Sequence, residues 1–119
     1  MEEDKIKRVK PLNDNPVTVD FSHEIQKHIP DRAKVASISE ADIDIEADDA
    51  GSVFESGRTT GKFEVFLPGE GKFSVSGIVK TSGGNRSRIA FQDLSVQSRT
   101  KLARYILHQE QTEKIRLKI

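Results

Sequence analysis

Hydrophobic and polar residues alternate with period two in several short stretches of this chain. Val17-Thr-Val19-Asp-Phe21 does so, as a strand with one buried face must. Val35 to Ala47 reads as one longer strand. Ile43, Ile45 and Ala47 share one face, and Asp42, Asp44, Glu46 and Asp48 share the other. An apolar face backed by a carboxylate face belongs to an antiparallel sheet that is wetted on one side. Two glycines, Gly57 and Gly61, put a loop over Val53 to Gly61. Lys62 to Leu67 is the next strand, and Phe73-Ser-Val75-Ser-Gly77-Ile-Val79 continues the alternation. Pro68-Gly-Glu-Gly71 between them is a turn signal, so 62–80 reads as a hairpin. Ser82-Gly-Gly-Asn85 marks a second turn, and Arg88 to Phe91 a last strand.

After Phe91 the period changes. Val96, Leu102, Tyr105, Ile106 and Gln109 follow helical spacing, and neither glycine nor proline occurs beyond residue 85. The spacing predicts a helix over about 96–111, with Ser95 as its N-cap. The tail, 112–119, either frays or adds an edge strand. Ser22 to Asp31 is ambiguous: Ile25 and Ile29 permit one or two helical turns, which Pro30 would end. Residues 1–16 are charged, carry Pro11 and Pro16, and read as a flexible arm ahead of a domain over 17–111. The expected fold is mainly β: six short antiparallel strands closed into a barrel, with a C-terminal helix over one end or face.

Composition narrows the class without naming a function. The 119 residues make one domain, and 32 of them are Leu, Ile, Val or Phe, above the level of a disordered chain. Lys+Arg (19) equals Asp+Glu (19), so no global field favours a nucleic-acid polymer or anionic lipid. Cysteine is absent, which excludes disulfides, thiol catalysis and thiolate zinc sites. No apolar run approaches the roughly 18 residues of a membrane span. The acidic start Met-Glu-Glu-Asp-Lys lacks a signal peptide's apolar region, so a cytoplasmic domain is expected.

Candidate chemistry is sparse. His23, His28 and His108 fall in no metal-binding spacing, and no metal or cofactor is expected. Asp44 to Glu55 places oxygens at calcium-loop positions 1, 3, 5 and 12, but Asp49 stands where that loop needs glycine, and strands flank it. A solvated strand face explains these acids better. The glycines do not make a phosphate loop, and no serine nucleophile with a histidine and carboxylate is visible, so an enzyme is not expected. Charge is nevertheless separated. Residues 40–49 hold six acids and no base, while 80–104 hold six bases against Asp93. Such polarity orients a protein on a charged partner, and Arg99, Lys101 and Arg104 are the candidate partner surface.

The order of parts resembles the PilZ domains, bacterial receptors for cyclic di-GMP. A basic arm, Lys7-Arg-Val-Lys-Pro-Leu12, precedes the first strand. Ser37-Ile-Ser-Glu-Ala-Asp-Ile-Asp-Ile45 resembles the family's D/N-x-S-x-x-G strand motif. Gly61 precedes Phe63-Glu-Val-Phe-Leu-Pro68, and Gly77-Ile-Val79 is followed by Arg88-Ile-Ala-Phe91, Asp93-Leu94 and Arg99-x-x-Leu102-x-x-Tyr105-Ile106. The resemblance implies a six-stranded barrel with a C-terminal helix. It also implies an R-x-x-x-R arm whose arginines clamp phosphates and guanine edges, a task suited to a planar bidentate fork. The ligand-binding candidates it points to are Lys5, Arg8, Lys10, Ser37, Ser39 and Asp42.

Three of the five motif positions depart from the pattern. With Arg8 as the second arginine, the first falls on Asp4; Ser37 replaces Asp or Asn, Ser39 is kept, and Asp42 replaces glycine. Losing one charged hydrogen bond costs about 1.5–3 kcal/mol, and each 1.4 kcal/mol is about tenfold in affinity. A loss on the order of a thousandfold is therefore expected. Two functions follow. One is a protein-interaction adaptor in motility, pilus or envelope regulation, with weak or no cyclic di-GMP binding. The other is a cyclic di-GMP receptor that folds the arm onto the barrel. Non-specific nucleic-acid binding is a distant third, since basic and aromatic residues do not interleave.

Overall fold

A computed structural model describes residues 7–12, 16–21, 34–47 and 54–118, with helix side chains followed to Thr112. Seven strands and one helix lie within them: β1 Arg8–Val9, β2 Thr18–Phe21, β3 Lys34–Ser39, β4 Asp42–Glu46, β5 Thr59–Leu67, β6 Gly71–Gly83, β7 Arg86–Gln92 and α1 Val96–Lys118. All pair antiparallel in one sheet of order β1-β3-β4-β7-β6-β5-β2. β2, at one end of that order, packs near β3 beside the other end. The sheet therefore curls as a barrel does, but among the described residues no ladder joins its two ends. The mainly antiparallel β architecture with a C-terminal helix stands. The closed six-stranded barrel becomes an open seven-stranded sheet: Arg8–Val9 supplies a strand, the stretch 35–47 divides into β3 and β4, and among the described residues the ends are not hydrogen-bonded.

The 62–80 hairpin is built as its pattern dictates. Phe63, Val65 and Leu67 of β5 and Phe73, Val75 and Val79 of β6 are buried, with Phe63 opposite Val75 and Val65 opposite Phe73. β5 starts earlier than its apolar run. Thr59 already pairs with Ile78, and Thr60 follows in a bulge where Gly61 takes a φ of 72°. Thr60 Oγ1 accepts from the Gly77 amide at 3.2 Å, which holds the bulge in the sheet. The loop read over 53–61 thus ends at residue 58, since threonines are good strand formers and glycine absorbs the irregularity. Gly77 has a separate role. A Cβ there would come within 2.5 Å of Ile89 Cγ2 and 2.9 Å of the Ala90 carbonyl, so only glycine lets β7 lie this close.

The core joins both halves of the sheet. Phe21 stacks on Phe63 with centroids 4.7 Å apart and tilts against Phe54 at 5.2 Å. Leu102, Tyr105 and Ile106 of α1 close it from one side. Ser95 Oγ accepts from the Ser98 amide at 3.0 Å, the expected N-cap. The helix runs to Lys118 rather than ending near 111, as no proline or glycine stops it, and the tail forms no edge strand. The ambiguous segment 22–31 lies outside the described residues, with His23 and His28.

Candidate functional site

Val35 to Ala47 is not one strand but a hairpin, and its turn builds the site. Ser39 Oγ accepts from the amides of Ala41 and Asp42, both at 3.1 Å, and its hydroxyl reaches Asp42 Oδ1 at 3.2 Å and the Asp42 carbonyl at 3.3 Å. A serine hydroxyl that captures the next backbone amides turns a chain in place of a ladder. Ala41, Ile43, Ile45 and Ala47 alternate up to the reversal from one side, and no glycine or proline marks it, which hides it from pattern reading. The turn lays β3 beside β4 and sets Ser37 opposite Asp44.

Asp44 is the centre. Its carboxylate was expected on a wetted face, yet the residue is only 8% exposed. Arg88, opposite it on β7, donates from Nε to Oδ1 at 2.7 Å and from Nη2 to Oδ2 at 2.9 Å, a bidentate fork. Ser37 Oγ donates to Oδ2 at 3.0 Å. From the arm, Arg8 Nη1 donates to Ser37 Oγ at 2.8 Å and lies 3.8 Å from Asp44 Oδ2, while its Nη2 is paired with Asp42 Oδ1. Two arginines and two aspartates thus form one neutral cluster across β1, β3, β4 and β7.

The arginines are not equivalent within it. The Arg88 fork holds the Asp44 carboxyl below the usual aspartate value against the opposing effect of burial, with Ser37 and Arg8 adding to Arg88. The same bond raises the Arg88 guanidinium. Arg8 shifts the other way: burial and the charge of Arg88 lower it, against the pull of Asp44. The directions differ because Arg88 owns the bidentate geometry, whereas Arg8 sits half-buried beside a like charge. Both stay protonated. Arg88 is therefore the resident counter-ion of Asp44, and Arg8 is the cation held less firmly.

Of the residues nominated from the sequence, Arg8, Ser37, Ser39 and Asp42 come together here. Lys10 is exposed outside the cluster, and Lys5 lies outside the described residues. The pattern missed Asp44 and Arg88, whose opposite charges meet only through the β4–β7 register. An open cleft of about 390 Å³ adjoins them, walled by Asp44, Thr81, Arg86 and Arg88 among others. The nominated partner surface divides. Arg99 is exposed, but Lys101 Nζ donates to the Lys72 carbonyl at 3.0 Å and Arg104 Nη1 lies 3.7 Å from Glu70 Oε1. Among the described residues no His, Asp and Glu cluster suits a metal ion, and no helix is long and apolar enough to cross a membrane.

No family model and no curated protein matches this sequence. Solved structures do match its fold. The PilZ domain of YcgR from Escherichia coli, solved with c-di-GMP, superposes with a TM-score of 0.72 at 12% identity, covering 98% of both chains. This chain has the PilZ fold. The MrkH–c-di-GMP complex of K. pneumonia superposes with a TM-score of 0.75 at 10% identity, over 98% of this chain and 56% of that one. The inhibitor of motility MotI/DgrA of Bacillus subtilis does so at 0.69 and 16% identity, over 94% and 53%. The chain thus spans the whole of an isolated PilZ domain and about half of the two longer proteins. The PilZ fold places β1 and the β3–β4 turn side by side here, and that is where the cluster lies.

Proposed function

We propose that this chain is a PilZ-type signalling module that works by docking a protein partner and binds cyclic di-GMP weakly or not at all. The observation that carries this reading is the occupation of Arg8. The guanidinium that would grip a phosphate is already held by Asp42, Asp44 and Ser37. A dinucleotide would have to displace an intramolecular carboxylate and then sit beside two negative charges. Each charged hydrogen bond exchanged costs about 1.5–3 kcal/mol, less where the pair is partly exposed. With no arginine at position 4, nothing in the arm supplies a second fork. Neighbours of the same fold include an inhibitor of motility, which supports a regulatory partner in motility, pilus or envelope control.

A receptor is the second reading, favoured by the placement of Arg8 opposite Ser39 in the β1–β3 register and by the cleft beside Arg86 and Arg88. Titration calorimetry separates the two. The native chain is expected to give no heat with cyclic di-GMP at high ligand concentration. The variant carrying Asp42→Gly and Ser37→Asp, which restores the motif on the barrel side, is expected to gain affinity by tenfold or more. A dissociation constant of a few micromolar for the native chain overturns the adaptor reading. On the partner side, Arg99→Glu is the clean variant, because Lys101 and Arg104 also make contacts within the chain.

A further inference from the structure

We propose that the N-terminal strand is latched onto the sheet by this chain's own carboxylates, Asp42 and Asp44, so that the arm is docked with no ligand bound. The ladder itself is minimal: Arg8 faces Ser39 and Val9 faces Ile38, and β1 ends there. Two residues of edge pairing do not hold a strand in water. Three side chains supplement it. Arg8 reaches across β3 to Asp42 and Asp44 on β4. Val9 enters the core at 5% exposure. Lys7 Nζ lies 3.3 Å from Glu110 Oε2 on α1, an exposed pair of small effect.

The carboxylates decide between docked and undocked. Docking takes the Arg8 guanidinium partly out of water and sets it near Arg88, and both changes disfavour its charge. Without Asp42 and Asp44 facing it, a half-buried cation would oppose what Val9 gains by burial. With them, the guanidinium meets the anionic oxygens it would otherwise seek in a ligand. Asp42 is central because Arg88 already claims both oxygens of Asp44. The latch concerns the ligand-free chain and stands whether or not cyclic di-GMP binds.

Amide hydrogen exchange by NMR on the full chain, with no nucleotide added, tests it. The native chain is expected to protect the one amide of the Arg8–Val9 segment that points at β3, and the amide directly opposite it on Ser39 or Ile38. In the Asp42→Asn/Asp44→Asn double variant that protection is expected to fall about ten- to a hundredfold, the worth of one charged hydrogen bond, while Val65 and Val75 keep theirs. Native-level protection in the double variant overturns the proposal and assigns docking to Val9. Absence of protection in the native chain overturns it as well. If the double variant also loses protection at Val65 and Val75, Asp42→Asn alone serves, since Asp42 begins β4 and leaves the Arg88 fork intact. A several-fold loss at Arg8–Val9 is then expected, and an unchanged rate overturns the latch.

Discussion

At the scale of single residues, the protein is organised around one buried carboxylate. Asp44 is costly to bury as a charge, and the fold offsets that cost with a bidentate arginine, a serine hydroxyl and a second arginine. The pH dependence follows. The folded chain holds the Asp44 carboxyl below its ordinary value, so the folded state binds fewer protons than the unfolded one. This contribution is fully present above roughly pH 4 and is lost as pH falls through the folded-state value. Thermal unfolding followed from pH 7 down to pH 2 is expected to show a steeper fall below pH 4 for the native chain than for Asp44→Asn. Equal slopes would mean that Asp44 gains nothing from its partners. Tyr105 is the opposite kind of buried group. Its hydroxyl has no partner among the described residues, and burial pushes the phenol up to about 12, so it titrates nowhere near neutral pH.

At the scale of elements, the β3–β4 hairpin is where sequence reading and structure part. Its second arm alternates as regularly as β5 and β6, whereas Val35, Ala36 and Ile38 of the first fall out of phase across a register shift; with no turn dipeptide between them, 35–47 reads as one strand. The reversal depends on Ser39, which has no glycine or proline beside it to announce a turn. Its bonds to the Ala41 and Asp42 amides do the work that a turn dipeptide would do elsewhere. Ser39→Ala leaves both amides without that acceptor and is expected to destabilise the domain by about 1 kcal/mol in urea unfolding. Because the turn also carries Asp42, the same change is expected to loosen the arm. A variant as stable as the native chain would show that the turn needs no hydroxyl. The helix presents the reverse case. Its N-cap and buried triad of Leu102, Tyr105 and Ile106 were legible from spacing, but its length was not, since Ile115, Leu117 and Ile119 alternate with charged residues at the period of a strand.

At the scale of the whole molecule, an open sheet must be kept curled by what packs inside it. Phe21 on the last strand of the order stacks with Phe63, and Leu102 of the helix is fully buried in the same core. Leu102→Ala is expected to cost about 2–5 kcal/mol, the range for an unfilled core cavity. Reduced protection is expected across β5 and β6 as well as in the helix, since α1 lies against both strands. A loss confined to the helix, measured by exchange, would mean that the sheet holds its curl alone. The ionic cluster spans four strands that adjoin in the sheet but are scattered along the chain, so it too exists only when the order β1-β3-β4-β7 is complete.

Local pattern along the chain specifies the fold class, the β5–β6 hairpin, the helix start and a short set of candidate residues on the arm and at 37–42. These are consequences of local periodicity, turn chemistry and capping, which act over a few neighbouring residues. Tertiary structure alone decided that Asp44 is buried, that Arg88 is its counter-ion and that Arg8 is already occupied. Arg88 stands 44 residues from Asp44, and Arg8 stands 29 from Ser37. No local signal specifies a pairing at that distance; strand order and register do, and with them whether a candidate binding arginine is available to a ligand.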